Sequence, residues 1–433
     1  MLRLNHYIAL VLLFSSSWLS AQNRQLHFDH LGTADGLSEL TSNCILQDSK
    51  GFIWIGTNDG LNRYDGYSFK VFRNNSRDTT TISNNFVSDI IEDKNGVLWV
   101  ATSGGGLNKF DRKTNRFFRF RHDEKNHKSI SSDFLGNMAI DQSGSLWIST
   151  RNNGINLFNP KTEEFIHYLN NPHDQMSSNG NDISTLYCDS KNNIWLGTFN
   201  NGLVLFDQQK NKLIHFKHGI NDPSALLGNR VIAIFEDSMH HLWVGTADAG
   251  LSMYDTNTGV FKHLIKNKAN DSSLEQLSIQ SIREDDNHNL WIGKENGGLD
   301  IFNLKSGKIS SYVHDDVDNS SLSGNSVDHI IKDRDGNMWI RVYAGGINIY
   351  KKSKTAFAHY NHTSLPNSLS NNFVLSLTED DKNNIWIGTD GGGLNLFNPK
   401  TNDFKVFKHH DQDKNSIAGD YITAVCHDAA DKL

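Results

Sequence analysis

Residues 87–107 read VSDIIEDKNGVLWVATSGGGL, and the rest of the chain repeats variants of this stretch. Apart from Trp18, the tryptophans follow one another at spacings of 45, 48, 48, 48, 48, 48 and 47 residues. They are Trp54, Trp99, Trp147, Trp195, Trp243, Trp291, Trp339 and Trp386. An aspartate stands six residues before each of them: Asp48, Asp93, Asp141, Asp189, Asp237, Asp285, Asp333 and Asp380. Such a fixed period indicates an array of equivalent structural units.

One repeat unit contains four short segments of strand-forming residues. In the unit of Trp99 they are Val87–Glu92, Leu98–Thr102, Leu107–Phe110 and Arg116–Phe120, separated by turns rich in Asn, Asp and Gly. Four antiparallel strands in every 40–50 residues or so are typical of one blade of a β-propeller. The sequence therefore predicts an all-β fold in which the repeated Trp fills the space between blades. The repeated Asp is expected to accept hydrogen bonds from the backbone amides of the following turn.

The repeat resembles the two-component regulator propeller repeat, with one copy at Val87–Leu107 and another at Val374–Leu394. The resemblance extends over about Gly36 to Leu433, and Phe28–Ser38 looks like the start of the mature sensor in that family. It implies the periplasmic input region of a hybrid two-component histidine kinase, for which oligosaccharides are the usual cues. In that family, fourteen repeats commonly form two seven-bladed propellers, followed by a β-sandwich, a membrane helix and the kinase.

The chain has eight complete units and the start of a ninth. We predict that seven units close a seven-bladed β-propeller over residues 22–360, with Leu26–Leu31 serving as an outer strand in another blade. Residues 361–433 then form the first blade and a partial second blade of an incomplete second propeller. A single eight-bladed ring is the alternative. Because a half-finished hairpin leaves a bare sheet edge, the chain is predicted to be truncated before its membrane helix and kinase.

The first 21 residues have the pattern of a secretory signal peptide. Arg3 supplies a positive charge, Tyr7–Phe14 forms an apolar segment, and cleavage is predicted after Ala21. No later segment is apolar enough to cross a membrane, so we expect a periplasmic protein. The 42 Lys and Arg residues are balanced by 49 Asp and Glu without a basic cluster, which argues against nucleic acid as a partner.

Departures from the repeat mark candidate ligand-binding residues. They fall in the turn between the second and third strands and at the start of the first strand, which are expected to share one face near the channel. The candidates are Arg341, Tyr343, Lys294, Glu295, Asn296, Arg151, Phe199 and Arg230. Arg341, Tyr343 and Lys294 are predicted to converge and to favour an anionic or polyhydroxylated ligand. One alternative is that these are variable loop residues that bind no ligand. The other is that Arg341 simply forms an ion pair with an acid in its own or the next blade.

Aromatic residues at the start of three first strands, Phe86, Phe134 and Phe373, are candidate platforms for sugar rings. They are equally compatible with packing around the channel mouth, and both interpretations stay open at this stage.

Metal binding and catalysis find little support in the sequence. His167, His215, His263 and His359 occupy the outermost predicted strand of four different blades, too far apart to share a metal, and residues 333–337 start a calcium-loop pattern without completing it. No nucleophile elbow or zinc motif is present, so we predict a non-enzymatic binding module without metal or cofactor. A propeller lyase or glycosidase with carboxylates across the channel and a protein-docking scaffold are the alternatives. A homodimer through the missing C-terminal region is an open prediction.

Overall fold

A computed structural model describes residues 26–168, 183–207, 212–256, 258–264, 278–352, 360–363, 367–428 and 433. The predicted signal peptide and His359 lie outside these residues. The described residues are almost entirely strands and turns, with a short 3-10 turn at Thr33–Asp35. They fall into two compact units, the first comprising the chain up to Asp315 with Asn319–Lys352, and the second Asp316–Asp318 with Ser353–Leu433. The predicted boundaries 22–360 and 361–433 stay a prediction.

The first unit contains seven antiparallel sheets of four strands, each one blade. Strand β1 (Asp29–Leu31) precedes the first blade, which consists of β2 (Ser42–Gln47), β3 (Ile53–Thr57), β4 (Gly60–Tyr64) and β5 (Phe69–Phe72). Blade 2 consists of β6 (Val87–Glu92), β7 (Leu98–Thr102), β8 (Gly106–Asp111) and β9 (Arg116–Phe120). Blade 3 consists of β10 (Leu135–Ile140), β11 (Leu146–Thr150), β12 (Ile155–Asn159) and β13 (Glu164–Tyr168). Blade 4 consists of β14 (Ile183–Cys188), β15 (Ile194–Thr198), β16 (Leu203–Asp207) and β17 (Lys212–Phe216).

The next blades repeat this order. Blade 5 consists of β18 (Val231–Glu236), β19 (Leu242–Thr246), β20 (Gly250–Asp255) and β21 (Val260–His263). Blade 6 consists of β22 (Ile279–Glu284), β23 (Asn289–Lys294), β24 (Gly298–Asn303) and β25 (Ile309–Tyr312). Blade 7 takes β26 (Val327–Lys332), β27 (Met338–Val342) and β28 (Gly346–Tyr350) from its own repeat. The all-β prediction with four strands per unit is confirmed.

Strand β1 supplies the fourth strand of blade 7. It pairs antiparallel with β28, with His30 opposite Asn348 and Leu31 opposite Ile347. Phe28, just before β1, is 4% exposed and packs in the core cluster between blades 6 and 7. The predicted use of the N-terminal segment as an outer strand of another blade is therefore confirmed.

The repeated tryptophans of the first unit fill the interfaces between blades. Each is at most 7% exposed and has an aromatic residue of the next blade's third strand at a ring-centroid distance of 5.0–6.3 Å. The pairs are Trp54–Phe110, Trp99–Phe158, Trp147–Phe206, Trp195–Tyr254, Trp243–Phe302, Trp291–Tyr350 and Trp339–Tyr64. The last pair joins blade 7 to blade 1. The ring thus closes with seven blades, and the eight-bladed alternative is wrong.

The repeated aspartate holds both the turn and the tryptophan. In blade 2, Asp93 Oδ1 accepts hydrogen bonds from the backbone N–H groups of Asn95 (2.8 Å) and Val97 (3.0 Å). Its other oxygen accepts a bond from Trp99 Nε1 at 3.0 Å. The predicted bonds to the turn amides are confirmed, and the bond to the indole explains the fixed six-residue spacing.

The second unit contains one complete four-stranded sheet among its described residues. Its strands are β29 (Val374–Glu379), β30 (Ile385–Thr389), β31 (Leu394–Asn398) and β32 (Asp403–Phe407). Asp380 accepts a bond from Trp386 Nε1 at 3.1 Å, and the indole stacks on Phe407 with the ring centroids 5.7 Å apart. This sheet has the same local design as the seven blades of the first unit.

Candidate functional site

The first strands of the seven blades line a central channel. They contact one another in order around the ring, from β2 through β6, β10, β14, β18 and β22 to β26 and back to β2. The pairing of each first strand with its second strand is irregular near its start, as between Val327 and His329. On β26 the buried Val327 and Ile330 therefore flank two consecutive half-buried polar residues, Asp328 and His329. Such bulges bring polar side chains to the channel wall.

The start of each first strand lies beside the turn between the second and third strands of its blade. The backbone N–H of Arg151 donates to Phe134 O, and that of Tyr343 donates to Ser326 O, both at 2.9 Å. In the first unit the same bond joins Ser103 to Phe86, Ala247 to Arg230 and Glu295 to Ser278. The expectation that these two segments share one face is confirmed. We call this face of the first unit, formed by these turns and strand starts, the channel mouth.

Arg341 occupies a position where most repeats have a small residue. A Cβ atom added to its counterpart Gly56 would lie 2.6 Å from Val87 Cγ1 of the next blade, and one added to Gly293 would lie 2.7 Å from Val327 Cγ1. These glycines let neighbouring blades approach closely. At the interface between blades 7 and 1, Ser42 takes the place of the valine. This smaller residue makes room for the arginine.

The guanidinium group of Arg341 joins blade 7 to blade 1 at the channel. One terminal nitrogen donates to the carbonyl oxygen of Asn43, and the other lies 3.6 Å from Asp328 Oδ2. The side chain is 14% exposed, and Nε has no hydrogen-bond partner among the described atoms. Burial lowers the pKa of Arg341, while Asp328 raises it. Arg341 thus pairs with an acid of its own blade, as the simpler alternative held.

Tyr343, Glu295 and Asn296 form a polar surface beside this pair. Tyr343 is 63% exposed. Ser326, whose carbonyl binds the Tyr343 amide, also donates its hydroxyl to Asn296 Oδ1 at 3.0 Å. Burial raises the pKa of Asp328, the neighbouring Arg341 partly opposes this rise, and the nearby Glu295 carboxylate adds to it. Blades 6 and 7 therefore bring these three predicted residues together with Arg341.

The structure does not bring Lys294 to this surface. Its side chain is only 6% exposed, and Nζ lies 2.7 Å from Asp300 Oδ1. In blades 1 to 3 these two positions carry Thr and Asn, as in Thr102 and Asn108 of blade 2. Blade 6 exchanges both polar groups for an ion pair, because a buried ammonium group requires a partner. The predicted convergence of Lys294 with Arg341 and Tyr343 is therefore wrong.

The remaining predicted residues, Arg151, Phe199 and Arg230, lie at the turns or strand starts of blades 3 to 5. All three are exposed, with 43% for Phe199. No contact within the described part of the chain joins them to Arg341. They stay predictions as ligand contacts.

Asp89 and His329 are two titratable groups of the channel wall that were not singled out from the sequence. Asp89 accepts backbone hydrogen bonds from Met138 of the next blade at 2.7 Å and from Ile90 at 2.8 Å, and burial raises its pKa to about 6. Burial, with Arg341 and Arg283 nearby, lowers the pKa of His329 well below its usual value. A comparison of the position ten residues before each repeated Trp would have identified them, because Asp89 and His329 stand there in place of mostly small or uncharged residues.

The histidines of the outer strands have separate local partners. His167 Nε2 lies 2.7 Å from Ser129 O, and His263 Nδ1 lies 3.2 Å from Ser252 Oγ. Burial lowers the pKa of His215. Within the described ranges, no group of three or more His, Cys, Asp or Glu residues is arranged to hold a metal ion. Likewise, none of the described helical segments is long and apolar enough to span a membrane.

The fold and the channel mouth define a seven-bladed β-propeller with a polar, charged channel opening, followed by a further sheet of the same kind. Six segments match the family model described as two component regulator propeller, at residues 36–59, 81–104, 177–200, 225–248, 321–343 and 368–391. The chain thus contains six two component regulator propeller repeats, as the sequence resemblance indicated.

Relatives of known sequence or structure agree with this assignment. Histidine kinase P4 of Formosa agariphila is 47% identical over 75 residues, which are 17% of this chain and 6% of the kinase. The extracellular domain of a proposed hybrid two component system, BT3049 of B. thetaiotaomicron, superposes with a TM-score of 0.70 at 26% identity, over 94% of this chain and 51% of that domain. The corresponding domain of BT4673 gives 0.62 at 22% identity, over 94% and 51%, and shows the fold alone. The chain spans about half the length of these two domains.

Proposed function

We propose that this chain is the extracytoplasmic, ligand-sensing propeller of a two component signalling protein, exported by its predicted signal peptide. We propose further that it binds an oligosaccharide at the channel mouth of the first unit. The repeat family and the likeness to the extracellular domain of a two component system support the sensing role. Binding rather than chemistry is the proposed output, because the repeated aspartates already serve the turns and indoles.

One observation carries the proposed site. Arg341 and Ser42 together depart from the Gly–Val contact that closes other blade interfaces, and the exchange places a guanidinium group in the channel wall. Asp328 lies beside it, and exposed Tyr343 borders the same surface. Planar charged groups next to an aromatic ring suit a polyhydroxylated ligand, since they hydrogen-bond hydroxyl pairs while the ring contacts the apolar face of the sugar.

The test restores the repeat at this interface. In the double variant Arg341→Gly/Ser42→Val, the interface regains the contact seen elsewhere but Asp328 loses its ion-pair partner, so the fold is expected to be retained with a stability close to that of the original protein. Oligosaccharide binding is expected to weaken about tenfold or more, as for the loss of a central contact. Thermal shift and calorimetric titration with gluco-, xylo-, manno- and galacturono-oligosaccharides measure both quantities, because a ligand that binds only the folded state raises its stability.

The matched control is Arg116→Ala, which removes an exposed arginine from an outer strand. It is expected to leave both stability and binding unchanged. Undiminished binding in a stable Arg341→Gly/Ser42→Val variant overturns the site, and the absence of binding to the whole set overturns the oligosaccharide proposal.

A propeller lyase or glycosidase is the second candidate, because Asp89 and His329 on the channel wall both have shifted pKa values. Release of shortened or unsaturated products from the same oligosaccharides, lost in Asp89→Asn, would favour this candidate over a sensor.

A further inference from the structure

Two exposed aromatic rings stand on either side of a glycine turn at the junction of blades 2 and 3. Phe86 is 41% exposed and Phe134 is 50% exposed. Between them lies the turn Ser103–Gly106, whose residue Ser103 pairs with Phe134 in an isolated bridge. A Cβ atom added to Gly104 would lie 3.4 Å from Phe134 Cε1, so this ring lies directly beside bare backbone. We call Phe86, Gly104 and Phe134 the Gly104 platform.

Backbone hydrogen bonds fix the main chain that carries both rings. The Phe86 N–H donates to Asn84 Oδ1 at 2.8 Å, and Phe86 O accepts a bond from the Ser103 N–H at 3.0 Å. The Phe134 N–H donates to Ser132 Oγ at 3.1 Å. A ligand that contacts the rings therefore meets a surface whose backbone is already ordered, which reduces the entropic cost of binding.

Packing does not require the glycine at position 104. The other blades of the first unit carry a side chain there: Asp59, Asn152, Asn200, Asp248, Asn296 and Ala344. Asn152 and Asn296 have φ angles of 68° and 55°, whereas Gly104 has a φ angle of 102°, so the other turns carry a side chain in a different left-handed conformation. The next residue differs, because a Cβ atom on Gly105 would lie 2.4 Å from Ser83 Oγ. Gly105 thus serves packing, whereas a Cβ atom on Gly104 would make only ordinary contacts, at 3.4 Å from Phe134 Cε1 and from Asn84 Nδ2.

The second unit contains the same arrangement. Phe373 is 71% exposed and Tyr421 is 74% exposed, and a Cβ atom added to Gly391 would lie 3.7 Å from Tyr421 Cε1. The Phe373 N–H donates to Asn371 Oδ1 at 2.9 Å, as Phe86 does to Asn84. The following Gly392 again serves packing, with Ser370 Oγ 2.6 Å from an added Cβ. We call Phe373, Gly391 and Tyr421 the Gly391 platform.

We propose that the Gly104 and Gly391 platforms are stacking sites for pyranose rings. The apolar C–H face of a pyranose covers an aromatic ring, and its equatorial hydroxyls remain free for polar neighbours, such as exposed Arg151 beside Phe134. Isolated exposed aromatic residues are common on protein surfaces. The recurrence of two exposed rings beside the same glycine turn in both units is what favours a ligand. This inference rests on the proposed oligosaccharide binding and names its stacking subsites.

Two pairs of substitutions in the full chain test the platforms. Gly104→Asn/Gly391→Asn fills both platforms with a side chain that other turns carry, and Phe134→Ser/Phe373→Ser removes one ring from each. Calorimetric titration uses cellohexaose, xylohexaose, mannohexaose and a galacturonic acid hexamer. Each double variant is expected to weaken binding about tenfold or more, and saturation-transfer NMR is expected to show the strongest contacts at the sugar's axial C–H protons.

The control is Phe118→Ala, which removes an equally exposed ring (58%) from the outer strand β9 and is expected to leave binding unchanged. If Arg341→Gly/Ser42→Val weakens binding while both platform variants bind as the original protein does, the platforms are not subsites, although the proposed function stands. If none of the four probes binds, both proposals are wrong. The melting temperature of each variant verifies its fold. The glycine pair adds side-chain volume and the phenylalanine pair removes it, so weaker binding in both is not explained by a single packing defect.

Discussion

At the scale of single residues, Asp89 is expected to couple stability to pH. Burial raises its pKa to about 6, so the folded state binds this proton more tightly than the unfolded state does. The free energy of unfolding should therefore fall as the pH rises from about 4 to about 6, and stay lower above that range. A shift of about two pKa units corresponds to at most about 3 kcal/mol.

Urea denaturation between pH 4 and pH 8, compared in the original protein and Asp89→Asn, measures this contribution. The variant should lack the decrease. His329, whose pKa is lowered, makes the free energy of unfolding rise with pH in both proteins, because its unfolded form gains a proton below about pH 6.5. Parallel curves for the two proteins would show that Asp89 titrates normally.

The candidate site was only partly predictable at this scale. Comparison of repeat units identified Arg341 and Tyr343 as departures, and the structure places both at the channel opening. It did not show that Lys294 is buried, because its partner Asp300 lies in another column of the repeat. Two simultaneous departures in one blade, here Lys294 with Asp300, are the signal of an internal pair.

At the scale of the blade, the aspartate turn is the element that fixes the hairpin and the indole together. Asp93→Ala leaves Trp99 Nε1 and two turn amides without their acceptor, and is expected to cost about 2–3 kcal/mol. Asn95→Ala changes an exposed residue of the same turn and should cost less than about 0.5 kcal/mol. Equilibrium unfolding of both variants tests this, and equal losses would contradict the assigned role.

At this scale the sequence was a reliable guide. Strands, turns and the interfacial tryptophans follow from a pattern repeated eight times, so that errors in reading one unit are corrected by the others. The bond from indole to aspartate was not foreseen, since spacing alone does not show which atoms of a turn meet.

At the scale of the whole molecule, the ring depends on the N-terminal strand. Phe28→Ala removes a 4% exposed ring next to β1 and is expected to lower the free energy of unfolding by about 3–5 kcal/mol. Deletion of residues 26–31 should cost more, because β28 also loses its partner strand. Hydrogen exchange of the Gly346–Tyr350 amides should accelerate in the deletion variant, and unchanged exchange would show that β1 is dispensable for closure.

Seven-bladed closure was predictable because Leu26–Leu31 precedes the first complete unit and has no hairpin of its own. The structure adds the contact that decides it, between Trp339 of blade 7 and Tyr64 of blade 1. No sequence pattern gives the number of blades directly, since every interface of the first unit places a repeated Trp against an aromatic residue of the next blade.

The pairing of β1 with β28 also has a consequence for the time course of synthesis. His30 and Asn348 are about 320 residues apart, and a ribosome adds roughly 5–20 residues per second, so about 16–60 s pass between the appearance of the two partners. In the course of this interval blades 1 to 6 gain their residues one after another, whereas blade 7 is complete only when β28 has been made. The nascent protein is therefore an open arc with β1 unpaired at one end, and it becomes a ring only when almost the entire first unit has been made.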